Sequence, residues 1–180
     1  MQVLGVSGSL RRHSYNRALL RAARSALPDG VAFREWRDLA AIPAYNEDVG
    51  VLPRVVAAFK KALAEADAVL FATPEYNASV PGALKNALDW ASRPFLANPL
   101  RGKPVAVVGA SQGVFGAIWA QAELRKILRT LGAETDDREL VVPQAQHAFA
   151  EDGSLRDEEL ASTLRAIVLD LAGARDQCAA

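Results

Sequence analysis

Three short segments of this sequence hold most of the residues able to bind or transform a ligand. The first reads Gly8-Ser9-Leu10-Arg11-Arg12-His13-Ser14-Tyr15-Asn16. Ser9 and Ser14 offer hydroxyl donors, Asn16 offers an amide, and Arg11 offers a planar cation that can fork onto phosphate oxygens. A helix starting near Ser14 would add free backbone N–H groups and the positive end of its dipole, which together favour an anion. No Gly-Lys-Ser/Thr follows, and no Gly-x-Gly-x-x-Gly is present, so the pattern suits one terminal phosphomonoester. The plainer alternative is a helix start capped by Ser14, with solvated arginines. His13 reads as an exposed loop histidine, the alternative being a protonated imidazole that helps hold the phosphate.

The second segment, Thr73-Pro74-Glu75-Tyr76-Asn77-Ala78-Ser79-Val80-Pro81-Gly82, is bracketed by prolines and therefore stiff. A rigid loop with free backbone donors and acceptors suits the edge of a flat heterocycle, and Tyr76 adds an aromatic face. Its plain alternative is a structural turn with Glu75 in solvent. The third segment, Gly109-Ala110-Ser111-Gln112-Gly113-Val114-Phe115-Gly116, has glycines that permit close backbone approach. It also matches Gly-x-Ser-x-Gly, the nucleophile-elbow pattern, with Asp136 or Asp137 and then His147 following in hydrolase order. Such a short pattern is common by chance in glycine-rich chains, and a hydrolase would leave the first segment without a role.

Alternating elements must position these segments. Gln2–Ser7 reads as a strand, and a helix from Ser14 to Leu27 places Leu20, Ala23 and Leu27 at helical spacing. Pro28-Asp29-Gly30 ends it. Val31–Trp36 is a second strand and Leu39–Gly50 a long loop. Leu52, Val56, Phe59 and Leu63 form one apolar helix face. Ala68–Ala72 and Val105–Val108 are continuous apolar runs, as expected for strands buried on both faces of a parallel sheet. Leu84, Leu88 and Ala91 mark the helix after Pro81-Gly82. Leu124, Ile127, Leu128 and Leu131 mark the next, which Gly132 ends. Glu139–Pro143 is a fifth strand, and Leu160, Leu164, Ile167 and Leu171 line a last helix. The expectation is an α/β fold, a flavodoxin-like three-layer sandwich with a five-stranded parallel sheet in order 2-1-3-4-5, forming one domain over residues 1–180. In such folds ligands bind beyond the carboxyl ends of the strands, where the three segments lie.

Composition narrows the classes. The 180 residues carry 21 Lys+Arg against 21 Asp+Glu, which argues against charge-driven binding of nucleic acid or membrane. One cysteine, Cys178, excludes an intrachain disulfide or a cysteine zinc site and reads as an inert tail residue. Two histidines, His13 and His147, make a His-rich metal site unexpected, and no metal is predicted. No apolar run approaches a membrane span, and Met1 leads directly into Val3-Leu4-Gly5-Val6 without a basic segment or cleavage signal. The expected location is the cytoplasm.

Gly8-Ser9-Leu10-Arg11 with Ser14 and Asn16, then Pro74-Glu75-Tyr76-Asn77 with Pro81-Gly82-Ala83-Leu84-Lys85-Asn86-Ala87-Leu88-Asp89-Trp90, resemble the NADPH-dependent FMN reductase family, in its bacterial quinone and chromate reductase branch. Ser111-Gln112-Gly113 with Gly116, Leu124-Arg125, and the tail from Ala148 through Gly153-Ser154-Leu155 are similar to it too. The resemblance implies non-covalent FMN, with Ser9, Arg11, Ser14 and Asn16 around its phosphate. Pro74, Glu75, Tyr76 and Asn77 would line the isoalloxazine, and Ser111 and Gly113 would support it. Two positions depart from the family pattern. His13 stands where a small or basic residue is frequent, and Ala117 stands where a second glycine is frequent.

The resemblance further implies hydride transfer from NADPH or NADH to flavin N5, then reduction of a quinone or another small acceptor (chromate, an azo compound, free flavin) by a ping-pong route. No side-chain acid or base is required, so no catalytic residue is assigned; Glu75 and Tyr76 shape the acceptor face. Lys85 and Asp89 read as a surface pair. Homodimers or homotetramers are implied, with helices 82–91 and 115–131 as interface candidates and Trp90 and Trp119 as either interface or core. Two other classes stay open: a serine hydrolase using Ser111, and a non-catalytic flavodoxin-like electron carrier. The neutral net charge disfavours a carrier that steers by its field.

Overall fold

A computed structural model describes the backbone through Cys178 and side chains through Gly173, so the Cys178 thiol lies outside the described residues. Strand β1 (Gln2–Ser7) leads through the first loop into α1 (Tyr15–Ala26), and β2 (Ala32–Trp36) follows. After a 3-10 turn at Leu39–Ala41 come α2 (Arg54–Glu65), β3 (Ala68–Thr73), α3 (Gly82–Ala91), β4 (Pro104–Ala110) and α4 (Ile118–Thr130). The short strands β5 (Glu134–Thr135) and β6 (Val141–Val142) precede α5 (Glu158–Cys178).

The sheet order is β2-β1-β3-β4-β5, and every strand pair is parallel. This is the expected doubly wound order. The continuous apolar strands are buried on both faces because their alternate residues serve two cores. Val69, Phe71, Val105 and Val107 point toward α2, α3 and α4, where they meet Val56, Phe59, Leu84, Leu88, Leu124 and Leu128. Leu70, Ala72, Ala106 and Val108 point the other way, toward Leu19, Leu20, Leu164 and Ile167 of α1 and α5.

Two details differ from the sequence reading. The fifth sheet position is shared by two short strands. β5 pairs with Pro104 and Val105 at the start of β4, and β6 pairs with Gly109 and Ala110 at its end. The chain between them leaves the sheet at Asp136, whose carboxylate accepts from the Arg138 backbone N–H and guanidinium. Leu52 does not belong to the apolar face of α2. It precedes Pro53, the N-cap, and is exposed, while Val56, Phe59 and Leu63 are buried as expected.

Candidate functional site

The crossover from β1 outward to β2 on one side and to β3 on the other leaves a crevice above their carboxyl ends. Gly8 N–H bonds to Ala72 O at 2.8 Å, so the first loop leaves the sheet beside β3. Ser14 is the N-cap of α1 and accepts from Arg17 N–H at 3.2 Å. Ser9 Oγ accepts from Arg11 N–H at 3.4 Å. Each hydroxyl oxygen therefore takes a backbone hydrogen and keeps its own O–H to donate. Both serines are buried, whereas Arg11 is exposed, with its guanidinium 5.7 Å from the centroid of the Tyr15 ring. Tyr15 in turn stacks on Phe149 at 6.4 Å, so the segment in which Phe149 bridges to Leu155 supports the aromatic shelf under Arg11.

These groups open into a cleft of about 150 Å³ lined by Ser9, Arg11, Ser14, Asn16, Pro74, Glu75, Tyr76 and Ser111 together with Tyr15, Ala110 and Gln112. Eight of the ten residues expected from sequence thus share one cleft. Asn77 sits at the tip of the second loop, and Gly113 is exposed within the third. An adjoining space of about 410 Å³ shares Arg11 and Tyr76 and adds Leu10, Pro81, Gly82 and Ala83. Two O–H donors, one guanidinium and the unpaired N–H groups of the first turn of α1 fit a phosphate in the smaller cleft. The larger open space beside Tyr76 fits a flat ring. A bigger groove of about 660 Å³ lies between α1 and α5, but it holds none of these residues.

Several side chains do different work from that expected. Asn16 is buried, with Nδ2 donating to Ala110 O at 2.9 Å and Oδ1 accepting from Ala110 N–H at 3.0 Å. Its amide ties α1 to the end of β4. Its backbone N–H, in the first helical turn, is the part left for an anion. Glu75 is not simply solvated: its Oε2 accepts from Ala120 N–H at 3.0 Å. That bond satisfies one orphan donor of α4, whose own N-cap, Ala117, makes no side-chain cap. Ala117 itself is left-handed (φ 68°), which explains why glycine suits this position. Gly116 has φ +50°, and a Cβ there would lie 2.4 Å from Val141 Cγ1 and 2.9 Å from Pro143 N, so the third loop passes too close to β6 for any side chain.

The second loop closes as a two-residue hairpin. Tyr76 and Ser79 exchange backbone bonds at 3.2 Å, and Asn77 (φ 53°) and Ala78 (φ 58°) are both left-handed. This is a type I′ geometry, in which Asn is favoured and Ala is not. Glu123, on α4, holds the exit of the hairpin: its Oε2 accepts from Ser79 Oγ at 2.7 Å and Val80 N–H at 3.2 Å. Sequence reasoning missed Glu123 and Tyr15. Tyr15 was signalled by its place beside the cap residue, whereas no local pattern marks Glu123.

The hydrolase alternative lacks its machinery. Ser111 Oγ accepts from Gly113 N–H at 3.2 Å, and Ser111 is not among the residues with positive φ. The helix begins only at Ile118, so there is no sharp strand-to-helix elbow. His147 is exposed, and the two candidate acids are engaged elsewhere: Asp136 with Arg138, and Asp137 with Arg129. Burial alone would raise the Asp136 carboxyl, but hydrogen bonds and charge from Arg138, aided by Arg125, outweigh it and hold the group below its usual value. Arg125 is buried and pairs with Glu139 at 2.5 Å; desolvation lowers its pKa despite that partner. Lys85 and Asp89 form a surface pair at 2.7 Å. Trp90 is a core residue, 5% exposed, and donates from Nε1 to Pro43 O at 2.8 Å; Trp119 is 47% exposed.

A flavodoxin-like sheet with clustered hydroxyl, guanidinium and helix N–H donors and an aromatic-lined cleft at its switch point is the arrangement of a nucleotide-binding α/β scaffold. The family model for NADPH-dependent FMN reductase matches residues 1–147. The chain is 48% identical over 162 residues to an NAD(P)H-dependent FMN reductase of Pseudomonas aeruginosa, covering 88% of this chain and 86% of that one. It is 44% identical over 128 residues to a 2-hydroxy-1,4-benzoquinone reductase of a Burkholderia species, covering 71% and 69%. Among solved structures, FerB, a flavoenzyme NAD(P)H:(acceptor) oxidoreductase from Paracoccus denitrificans, superposes with a TM-score of 0.84 at 39% identity, covering 93% of this chain and 92% of FerB. The chain belongs to the NADPH-dependent FMN reductase family.

Proposed function

We propose that this protein is an FMN-dependent NAD(P)H oxidoreductase that reduces quinones and similar small acceptors, built as one FMN-binding domain. The carrying observation is the cleft that joins Ser9, Arg11 and Ser14 to Pro74, Glu75 and Tyr76. Family membership and the names of the relatives point the same way. When bound, FMN would supply two-electron chemistry at N5, taking a hydride from NAD(P)H and passing it on in ping-pong order.

The chain's own residues bind and orient. Ser9 and Ser14 donate O–H groups to the phosphate, Arg11 balances its charge, and the first-turn N–H groups of α1 complete the cradle. Pro74 and the Tyr76–Ser79 hairpin set the edge that faces the ring, with Asn77 at its tip. Ser111 and Gly113 hold the third loop in shape through their mutual bond. Tyr76, half exposed, offers acceptors a flat apolar face. Glu75 acts by fixing this loop to α4, not as an acid or base.

Chromate, azo compounds and free flavin are further acceptors that an open face would admit. The protein acts in the cytoplasm as a homodimer or homotetramer. The exposed Val114 and Phe115 of the third loop and Trp119 of α4 support this region as part of that contact. No helix among the described residues is long and apolar enough to cross a membrane.

The deciding experiment is the visible spectrum of the purified protein after loading with FMN and removing the excess. Retained flavin that bleaches with NADPH or NADH under argon, and recovers on adding a benzoquinone, is the expected result. Flavin that neither nucleotide bleaches would indicate a carrier, and failure to retain FMN would overturn the proposal.

A further inference from the structure

The cleft is walled by two loops with no covalent link shorter than the path through α3 and β4, yet their positions are coupled through α4. The Tyr76–Ser79 hairpin is a weak element by itself. It has two backbone bonds, its two central residues are left-handed, and Tyr76, Asn77 and Ala78 are exposed. A lone two-stranded turn of this kind does not hold one geometry in water. Its geometry must therefore come from what grips its flanks.

Both flanks grip one helix. On the entry side Glu75 reaches Ala120 N–H at 3.0 Å. On the exit side one carboxylate oxygen, Oε2 of Glu123, takes both the Ser79 hydroxyl at 2.7 Å and the Val80 N–H at 3.2 Å. Ala120 and Glu123 are three residues apart, so they share one face of α4. One carboxylate points from the loop to the helix and the other from the helix to the loop. The same helix emerges from the third loop, whose Gly116 is wedged against Val141 and Pro143. The second loop, the third loop and α4 thus form one mechanical unit around the cleft.

We propose that Glu123 is a positioning residue for the ring-facing hairpin, setting where Tyr76 and Asn77 stand relative to the bound flavin; this rests on the flavin reading above. Glu123 itself is exposed and contributes nothing to the core, so its conformational role separates from a general stabilising one. It touches neither cleft directly, since neither lining includes it. A neutral amide at this position still has an oxygen that can accept from both donors, whereas a methyl has none.

The test compares wild type, Glu123→Gln, Glu123→Ala, Ser79→Ala and the double variant of the last two. In Glu123→Ala the FMN dissociation constant rises about five- to tenfold. Amide hydrogen exchange at Ser79 and Val80 in the flavin-free protein speeds up by a similar factor. Glu123→Gln restores both readouts to within about twofold, because its amide oxygen keeps both acceptor bonds. Ser79→Ala falls between, and the double variant is no worse than Glu123→Ala, as expected of a shared contact. The unfolding midpoint of the flavin-free protein moves by less than about 2 °C, since one bond lost is exposed and the other is only part-buried beside exposed Glu123. Unchanged exchange at residues 79–80 in Glu123→Ala, or a Glu123→Gln variant as weak as the alanine, overturns the proposal. Wild-type protein that retains FMN while Glu123→Ala binds it equally well overturns this role alone. Wild-type protein that retains none overturns the flavin reading and this role with it.

Discussion

Replacing Asn16 by alanine tests how the floor of the cleft is built. The Asn16 amide makes two bonds to one residue, donating to Ala110 O at 2.9 Å and accepting from Ala110 N–H at 3.0 Å. Both residues are buried, at 2% exposure each. Alanine at position 16 removes both partners and leaves a buried donor and a buried acceptor at the end of β4. Each orphaned group costs about 1–3 kcal/mol, and a water entering the vacated space offsets part of that, so the expected loss is about 2–4 kcal/mol. With a urea slope of about 2 kcal/mol per molar for a chain of this size, the midpoint should fall by about 1–2 M without a change in slope. The assay is equilibrium urea unfolding of flavin-free protein at neutral pH, followed by tryptophan fluorescence. A loss below about 1 kcal/mol, accompanied by a large drop in FMN affinity, would refute the reasoning. It would mean that the amide serves the ligand, as the sequence alone suggested, and that the bridge to β4 is dispensable.

Ala78→Gly should stabilise the protein by about 0.5–1 kcal/mol, because Ala78 is exposed, left-handed and at the second central position of a type I′ turn; a thermal scan should show a gain of about 1–4 °C. Arg138→Met should cost about 0.5–1 kcal/mol at neutral pH, a modest amount because the pair is partly exposed. The folded-state pKa of Asp136 is depressed, so the stability it contributes is present above its unfolded value near 3.8 and is lost as pH falls through the folded pKa. The gap between wild type and Arg138→Met in urea midpoint should therefore close as pH drops below 3.8; a gap that persists in acid refutes the linkage. Ser111→Ala should leave NADPH-driven quinone reduction within about threefold of wild type, since it removes one loop bond to Gly113. An ester-hydrolysing activity abolished by this change would restore the hydrolase reading.

The alternation of elements and the three loops were legible in the sequence because each rests on contiguous residues. Ala68–Ala72 and Val105–Val108 are apolar at every position and of strand length, as suits a strand covered on both faces. Pro81-Gly82 and Gly132 punctuate helices by local backbone chemistry. The polar dipeptide Glu134-Thr135 carried no such signal, so the split of the fifth sheet position was not visible.

By itself, then, the sequence determined the doubly wound order and which loops meet at the switch point, because strand burial, turn chemistry and crossover handedness are properties of short segments. It also marked Ser9 and Ser14 as hydroxyls at the start of α1, since a cap residue and its helix are neighbours along the chain. Only the tertiary structure decided what the long polar side chains do. Asn16 finds its partner 94 residues away at Ala110, Glu75 finds its own 45 residues away at Ala120, and Glu123 reaches back 44 residues to Ser79. A carboxylate or amide has many possible partners at its own place in the chain. Which one it takes is settled by the packing of α1 and α4 against the sheet, and that packing brings distant backbone N–H groups within 3 Å.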